Sequence, residues 1–351
     1  FGKEDGFATQ SVTVLDPAAG TLTFPMLAIQ EAIEEYKKKY GAGGVKGLIR
    51  DHILKNFYAF ELMMASYAIG HVKAGFILEE HNYHLSEDER FKLYLTNTLD
   101  FTKEDPNQFP GFFEQKIAEE SRKALEVKEE IPIMVIMGNP PYSRSSSNIL
   151  KKGTDFYNFY ESYKEKVRKQ ERNIQPLSDD YIKFIAFAHW KVKQIGSGIV
   201  GMITNNSYLD GRIHRDMRKK LSEDFEVFVL NLHGDVSRDH LNPVSAKDEN
   251  VFDIRQGVSI LLLVRRGAGT RKVYYFDKFG TREEKYDFLG GNTIATTKWR
   301  ELKLEPPYYS FVPREGKGNE AYQKFLPLGE IFKFYNVSGK PGDDKMLVAY
   351  D

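Results

Sequence analysis

Asn139, Pro140, Pro141 and Tyr142 close an aliphatic run over residues 131–137, and of all the side chains here they are the best suited to chemistry. Prolines donate no backbone hydrogen bond, so a strand cannot continue through them. What they leave at its tip is a pair of acceptors. Asn139 offers its side-chain oxygen. Pro140 offers a carbonyl held stiffly, because Pro141 forces the residue before it to be extended. Two acceptors at one point suit an exocyclic amino group with two N–H bonds, and Tyr142 adds a flat face on which a base can stack. Engaging both protons turns the nitrogen lone pair outward, toward an electrophile such as a methyl sulfonium in a neighbouring loop.

A loop able to hold such an electrophile follows the first candidate strand. "DPAAGTLTF", residues 16–24, joins a strand to a helix through small residues, a cradle for a ligand at the carboxyl edge of a parallel sheet. Asp16 supplies a fixed negative charge, while Ala18, Ala19 and Gly20 let the backbone come close. The loop is neither a Walker loop nor a good GxGxxG, and alone it reads equally well as a structural turn. Glu61 and Asp100 fall at the ends of the next two candidate strands, where ribose hydroxyls need an acid. Each alone reads as a solvated carboxylate. Three acids at three successive strand ends, followed by the proline-rich tip, form a constellation.

The bulk numbers restrict the setting. The 351 residues carry 50 Lys+Arg and 50 Asp+Glu, so a nucleic acid would have to be met by a local basic face. There is no cysteine, which removes disulfides, thiolate zinc sites and cysteine nucleophiles. The histidines show no metal-ligand spacing, and His189, His214 and His233 read as structural or surface residues. The longest apolar run, residues 258–264, is far too short to span a bilayer. No secretory signal opens the given sequence, and the lack of cysteine fits an expected cytoplasmic location. The chain begins at Phe1, which points to a fragment of a longer protein.

The elements that must position these residues are those of an α/β domain with a largely parallel sheet. Seven strands are expected, at 12–15, 57–62, 92–96, 131–137, 199–204, 227–232 and 258–264. "MLAIQEAIEEYKKKYG" reads as a helix with Leu27, Ile29 and Ile33 on its apolar side and Gly41 as its stop. "LSDDYIKFIAFAHWKVKQIG" reads as a second, capped by Ser178, with Ile182, Ile185 and His189 on one face and Gly196 closing it. A long polar connection, residues 233–257, joins the last two strands. Beyond residue 270, "RKVYYFDKFGTREEKYDFL" has room for one more strand, and "LKLEPPYYSFVPREGKGNEAY" looks like a linker.

With these motifs in place, the sequence resembles the amino-methylating DNA methyltransferases, most of all the methyltransferase core of single-polypeptide (type ISP or IIG-like) restriction-modification enzymes. "NPPY" matches their catalytic motif and "DPAAGTLTF" their cofactor loop, usually DPxxGTGTF. "GIVGMITNNSYLDGRIHRDMR", "LNLHGD" and "DENVFDIRQGVSILLLV" are similar to their later strands and connections, so the likeness covers roughly residues 1–350.

The resemblance implies a Rossmann-like S-adenosylmethionine-dependent methyltransferase fold. Its sheet would have seven strands, mostly parallel with the last antiparallel, and helices on both faces. It implies transfer of a methyl group to N6 of an adenine flipped out of double-stranded DNA. Asn139, Pro140, Pro141 and Tyr142 would receive the adenine. Asp16, Pro17, Ala18, Gly20, Thr21 and Phe24 would border the cofactor's methionine part together with Asn139. Glu61 and Leu62 would bind the ribose, and Leu99 and Asp100 the cofactor adenine. No metal is implied. Residues 1–300 would form the catalytic domain. Residues 301–351 would form a linker into a recognition domain, with nuclease or motor functions elsewhere in the polypeptide.

Two departures from the family pattern stand out. Leu22 replaces the second glycine of the loop, where a side chain narrows the approach or demands a negative φ. A chain beginning at Phe1 is also expected to lack the family's segment upstream of the first strand. For DNA contact, Lys151, Lys152, Arg212, Arg215 and Lys219 are the candidate phosphate ligands, the last three in "GRIHRDMRKK" with Arg218 and Lys220. The same stretch reads equally as a solvated helix face. Two other functions keep the fold: methylation of a protein glutamine, which also uses N-P-P-Y, and a DNA-binding or assembly subunit without catalysis.

Overall fold

The computed structural model describes residues 1–103, 105–108, 111–142, 148–235, 248–267, 269, 271–314, 325–326 and 328–331. One unit comprises Phe1–Val312 and a second Pro313–Asp351, in which the described residues include a short helix, Leu328–Ile331.

The first unit is built on a nine-stranded sheet ordered β3-β2-β1-β4-β5-β7-β6-β8-β9. The strands are β1 Val14–Asp16, β2 Phe57–Glu61, β3 Lys92–Leu95, β4 Val135–Gly138, β5 Ser197–Asn205, β6 Glu226–His233, β7 Val258–Arg266, β8 Val273–Asp277 and β9 Arg300–Leu302. All seven expected strands are present, and β8 is the extra one for which the sequence had room. The expected total of seven is corrected to nine. The ninth, β9, is three half-exposed or exposed residues on the sheet's edge, too short and polar to stand out. It lies at the start of what was expected to be linker.

Strands β1 to β5 pair in parallel, whereas β7 is antiparallel to both β5 and β6. Beyond them β8 runs parallel to β6, and β9 antiparallel to β8. The order reverses at β1, which lies between β2 and β4. In open α/β sheets that switch point opens a crevice at the carboxyl ends of the strands. The register Val14↔Val135 and Leu15↔Ile136 then brings the ends of β1 and β4 side by side.

Helices of ten residues or more are α1 Thr23–Tyr40, α2 Met64–Glu80, α3 Phe112–Glu129, α4 Asp180–Ile195, α5 Arg215–Asp224 and α6 Arg282–Gly291. Side chains alternate across each strand, so both faces of the sheet need cover. Leu15, Phe60, Tyr94 and Ile136 pack with α3 and α4 on one face. Val14, Ala59 and Leu93 pack with α1 and α2 on the other. In α1, Met26, Ile29 and Ile33 are buried at helical spacing. Leu27, expected on that stripe, is exposed because two residues from Ile29 is more than half a turn. The helix α4 is buried nearly throughout and ends at Gly196, φ 76°. Its N-cap is Asp179 and not Ser178, which belongs to the preceding turn. Among the described residues no helix is long and apolar enough to cross a membrane.

Candidate active site

Asp16 ends β1 fully buried at the switch point. Its Oδ1 accepts from the Ala18 amide at 2.9 Å, while Oδ2 is buried with no hydrogen-bond partner among the described residues. Burial pushes its carboxyl up to about 7; the Ala18 bond opposes this and the charge of Glu61 adds to it. The neighbouring strand makes room by having no side chain, since a Cβ on Gly138 would lie 2.5 Å from Asp16 Oδ1.

The loop after β1 is tied to the tips of β2 and β3. Gly20, at φ 53°, donates its amide to Glu61 Oε2 at 2.8 Å. Glu61 Oε1 accepts from Met63 N at 2.7 Å, so both carboxylate oxygens are held by backbone donors. Ala19 N bonds to the Phe60 carbonyl, and Thr98 Oγ1 to that of Pro17. Ala18, Thr21 and Phe24 are half-buried along this edge. Leu62, 58% exposed, follows Glu61.

Leu22 keeps the glycine-like backbone that its type argues against. Its φ is 64°, in the left-handed region, and not the negative value expected of a side chain. The side chain is fully buried in the core under α1 and α2, against Gly70 and away from the narrowing that was expected.

The third acid is placed differently from expectation. β3 ends at Leu95, and Asp100 lies five residues further, exposed, accepting from Thr102 N at 2.9 Å. The Leu99 side chain is packed in the core. The segment between them is held from behind by Lys128, a buried residue of α3 that charge patterning had not singled out. Its ammonium donates to Thr96 Oγ1, Asn97 O and Asp100 O at 3.1, 2.7 and 2.9 Å.

At the tip of β4, Asn139 and Pro141 are exposed, Pro140 is buried and Tyr142 is half-buried. The Tyr142 hydroxyl donates to Asn139 Oδ1 at 2.7 Å, and burial raises its pKa. One lone pair of the expected acceptor is therefore already engaged, and an amide oxygen has two. Beyond the tip, Asn148 takes a bond from Asn97 Nδ2 at 3.0 Å and gives one to Asp180 Oδ1 at 3.1 Å. The described loops after β3 and β4 are thereby joined. Neither Asn97 nor Asn148 carries a local motif; only the strand order makes them neighbours.

The expected basic face is partly an interior. Arg215 is buried, 2.8 Å from Glu171 Oε1 and 2.7 Å from Gln170 Oε1. Arg218 is fully buried and donates to the carbonyls of Tyr208, Gly211, Tyr308 and Tyr309. Both are corrected to structural residues: a guanidinium's rigid fork saturates buried acceptors well, and that use faces inward. Arg212 is exposed yet 2.9 Å from Glu171, and Lys219 lies 3.6 Å from Glu223. Lys151 and Lys152 are exposed. Two of the histidines are likewise structural: His189 bridges Tyr163 and Asp224 at 2.7 and 2.9 Å in the core, and His214 is buried.

Together, the doubly wound sheet, the acid-lined crevice at its switch point and the paired acceptors beside it define an α/β domain of the restriction-modification methylase class. The sequence pattern of the Eco57I restriction-modification methylase family matches residues 51–233, and the chain belongs to that family. No curated protein matches the chain by sequence.

Solved structures resemble it over most of its length. A DNA-bound ATP-dependent type ISP restriction-modification enzyme, LlaBIII, is 25% identical with a TM-score of 0.73, over 89% of this chain and 21% of its own. A nuclease-deletion mutant of the type ISP enzyme LlaGI, with a DNA substrate mimic, is 22% identical with a TM-score of 0.71, over 89% and 25%. The DrdV–DNA complex is 21% identical with a TM-score of 0.69, over 92% and 30%. This chain thus spans less than a third of the length of each.

Proposed function

We propose that this domain transfers a methyl group from S-adenosylmethionine to N6 of an adenine flipped out of double-stranded DNA. When bound, the cofactor supplies an electrophilic methyl group on a sulfonium. The residues of the crevice suit it. The orphaned buried Oδ2 of Asp16 calls for a cationic donor, which the cofactor's ammonium is. Glu61 is fixed at a strand end where ribose hydroxyls need an acid. An ideal Cβ at Gly20 would meet nothing within 4 Å, so there is open space beside the loop. With Leu22 turned into the core, that loop carries no bulk there, which favours a cofactor-binding domain over a non-catalytic one.

The observation that carries the proposal is the adjacency of Asp16 and the Asn139 tip across the switch point. Asn139 Oδ1 and the Pro140 carbonyl would accept hydrogen bonds from both N–H groups of the target amino group and aim its lone pair at the crevice. The Tyr142 ring would stack on the base. Catalysis then comes from positioning and from fixed dipoles, with no covalent enzyme intermediate. In the same reading, recognition, nuclease and motor functions belong to other parts of a longer polypeptide. The test is calorimetric titration of the chain with S-adenosylmethionine, followed by analysis of DNA methylated by the full polypeptide. Binding lost in Asp16→Ala and N6-methyladenine lost in Asn139→Ala support the reading. Methylated glutamine, or an Asn139→Ala protein as fast as its parent, would overturn it.

A further inference from the structure

Lys128 has no role in the chemistry just proposed, yet it is one of the largest fully buried side chains of the fold. Removing an ammonium from water is expensive unless it is well hydrogen-bonded. Here its three donors meet three acceptors, Thr96 Oγ1, Asn97 O and Asp100 O. The rings of Phe60 and Phe101 lie 5.5 and 5.7 Å from the nitrogen, close enough for weak cation–π attraction. All three acceptors belong to one short loop, residues 96–100. That loop also supports its neighbours, through Thr98 on the Pro17 carbonyl and Asn97 on Asn148.

We propose that Lys128, as an ammonium, is a positioning residue that holds the 96–100 loop in the conformation that receives the cofactor's adenine. The inference rests on the reading of the crevice as an S-adenosylmethionine site. A neutral amine has two N–H donors for the three acceptors, so deprotonation releases one loop contact. Burial lowers the Lys128 pKa to about 7, against the opposing charges of Asp100 and Glu129. The charged neighbours are Asp100 on the loop and Glu129 on α3 itself. Glu129 is shared with Lys103, 3.5 Å away, and also acts on Lys191 of α4. β2 contributes the uncharged Phe60, and the loop the uncharged Thr96.

The test uses adenosine, which has no ammonium to face Asp16, as the probe of this half of the crevice. The parent chain should bind adenosine several-fold more weakly as pH rises through neutrality to about 9. Lys128→Met should bind about tenfold more weakly with a flat profile. Lys128→Arg, charged throughout, should regain affinity without the pH dependence. A flat profile in the parent overturns the inference, and so does parent-like adenosine binding by a Lys128→Met protein with an unchanged circular dichroism spectrum. If Lys128→Met does not fold, the parent's profile decides. A parent that takes neither S-adenosylmethionine nor adenosine at any pH brings down the underlying reading instead.

Discussion

Gly138 and Asp16 occupy adjacent strands so closely that a methyl group on the glycine would sit 2.5 Å from the Asp16 carboxylate oxygen. The residue before the N-P-P-Y tip therefore sets the position of the acid at the head of the loop after β1. Gly138→Ala should displace Asp16 and destabilise the domain by about 1–3 kcal/mol, the usual cost of overpacking. S-adenosylmethionine affinity should fall with it. Gly201→Ala is the control, because its Cβ would meet only the flexible end of Leu262, at 3.3 Å. Thermal melts and calorimetry of the two variants check this. Equal behaviour would mean that Asp16 moves aside freely.

Asp16 should make the free protein less stable as pH rises. Its carboxyl titrates at about 7 when folded against an ordinary value of 3.8. Below the lower value both states are protonated and there is no penalty. Between the two, only the unfolded chain ionises, so stability falls with pH; above about 7 the penalty is complete. Asp16→Asn keeps the acceptor for Ala18 N and removes the charge. It should leave stability unchanged near pH 4 and raise it by roughly 2–4 kcal/mol at pH 8, at about 1.36 kcal/mol per pH unit. Denaturant titrations at the two pH values check it. A variant less stable than its parent at pH 8 would show that Asp16 has a counter-charge in the free protein.

Leu22 offers a test in which glycine should outrank alanine. Both Leu22→Ala and Leu22→Gly empty the same buried site, at about 2–5 kcal/mol. Only glycine escapes the left-handed backbone cost, on the order of 1–2 kcal/mol at φ 64°. Leu22→Gly should therefore be the more stable of the two by about 1 kcal/mol, in line with the preference for glycine over alanine at the helix N-cap that Leu22 occupies. Equilibrium unfolding of both proteins decides.

What could be read from the sequence and what could not divide along physical lines. Apolar runs bounded by turn residues announce buried strands, and β1 to β7 are all of this kind. β9 buries too little to leave such a trace. Asp16, Glu61 and the 139–142 tip could be placed at strand ends because strand ends follow from those runs. Asp100 was misplaced onto a strand end because the chain turns at Thr96 without a proline or glycine to mark it. Charge carries no information about which way a side chain points, so Arg215 and Arg218 counted as surface and Lys128 was passed over. The long connection expected over residues 233–257 falls partly outside the described residues.

The basic residues now separate into two sets that mutation should distinguish. Lys151 and Lys152 are exposed beyond the 139–142 tip and have the access that phosphate contacts require. Reversing both to Glu in the full polypeptide should weaken DNA binding across sequences. It should also lower the slope of log affinity against log salt by roughly 1–2, with the melting temperature unchanged. Arg215→Glu should do the opposite. It sets a second carboxylate beside the half-buried Glu171 and removes that residue's partner, 2.8 Å away. The buried position loses its partner and gains a repulsion, so the domain should melt earlier whether or not DNA is present. The salt slope of whatever folded protein remains should match the parent's. A normal melt with a flattened salt slope in Arg215→Glu would return that residue to the DNA face.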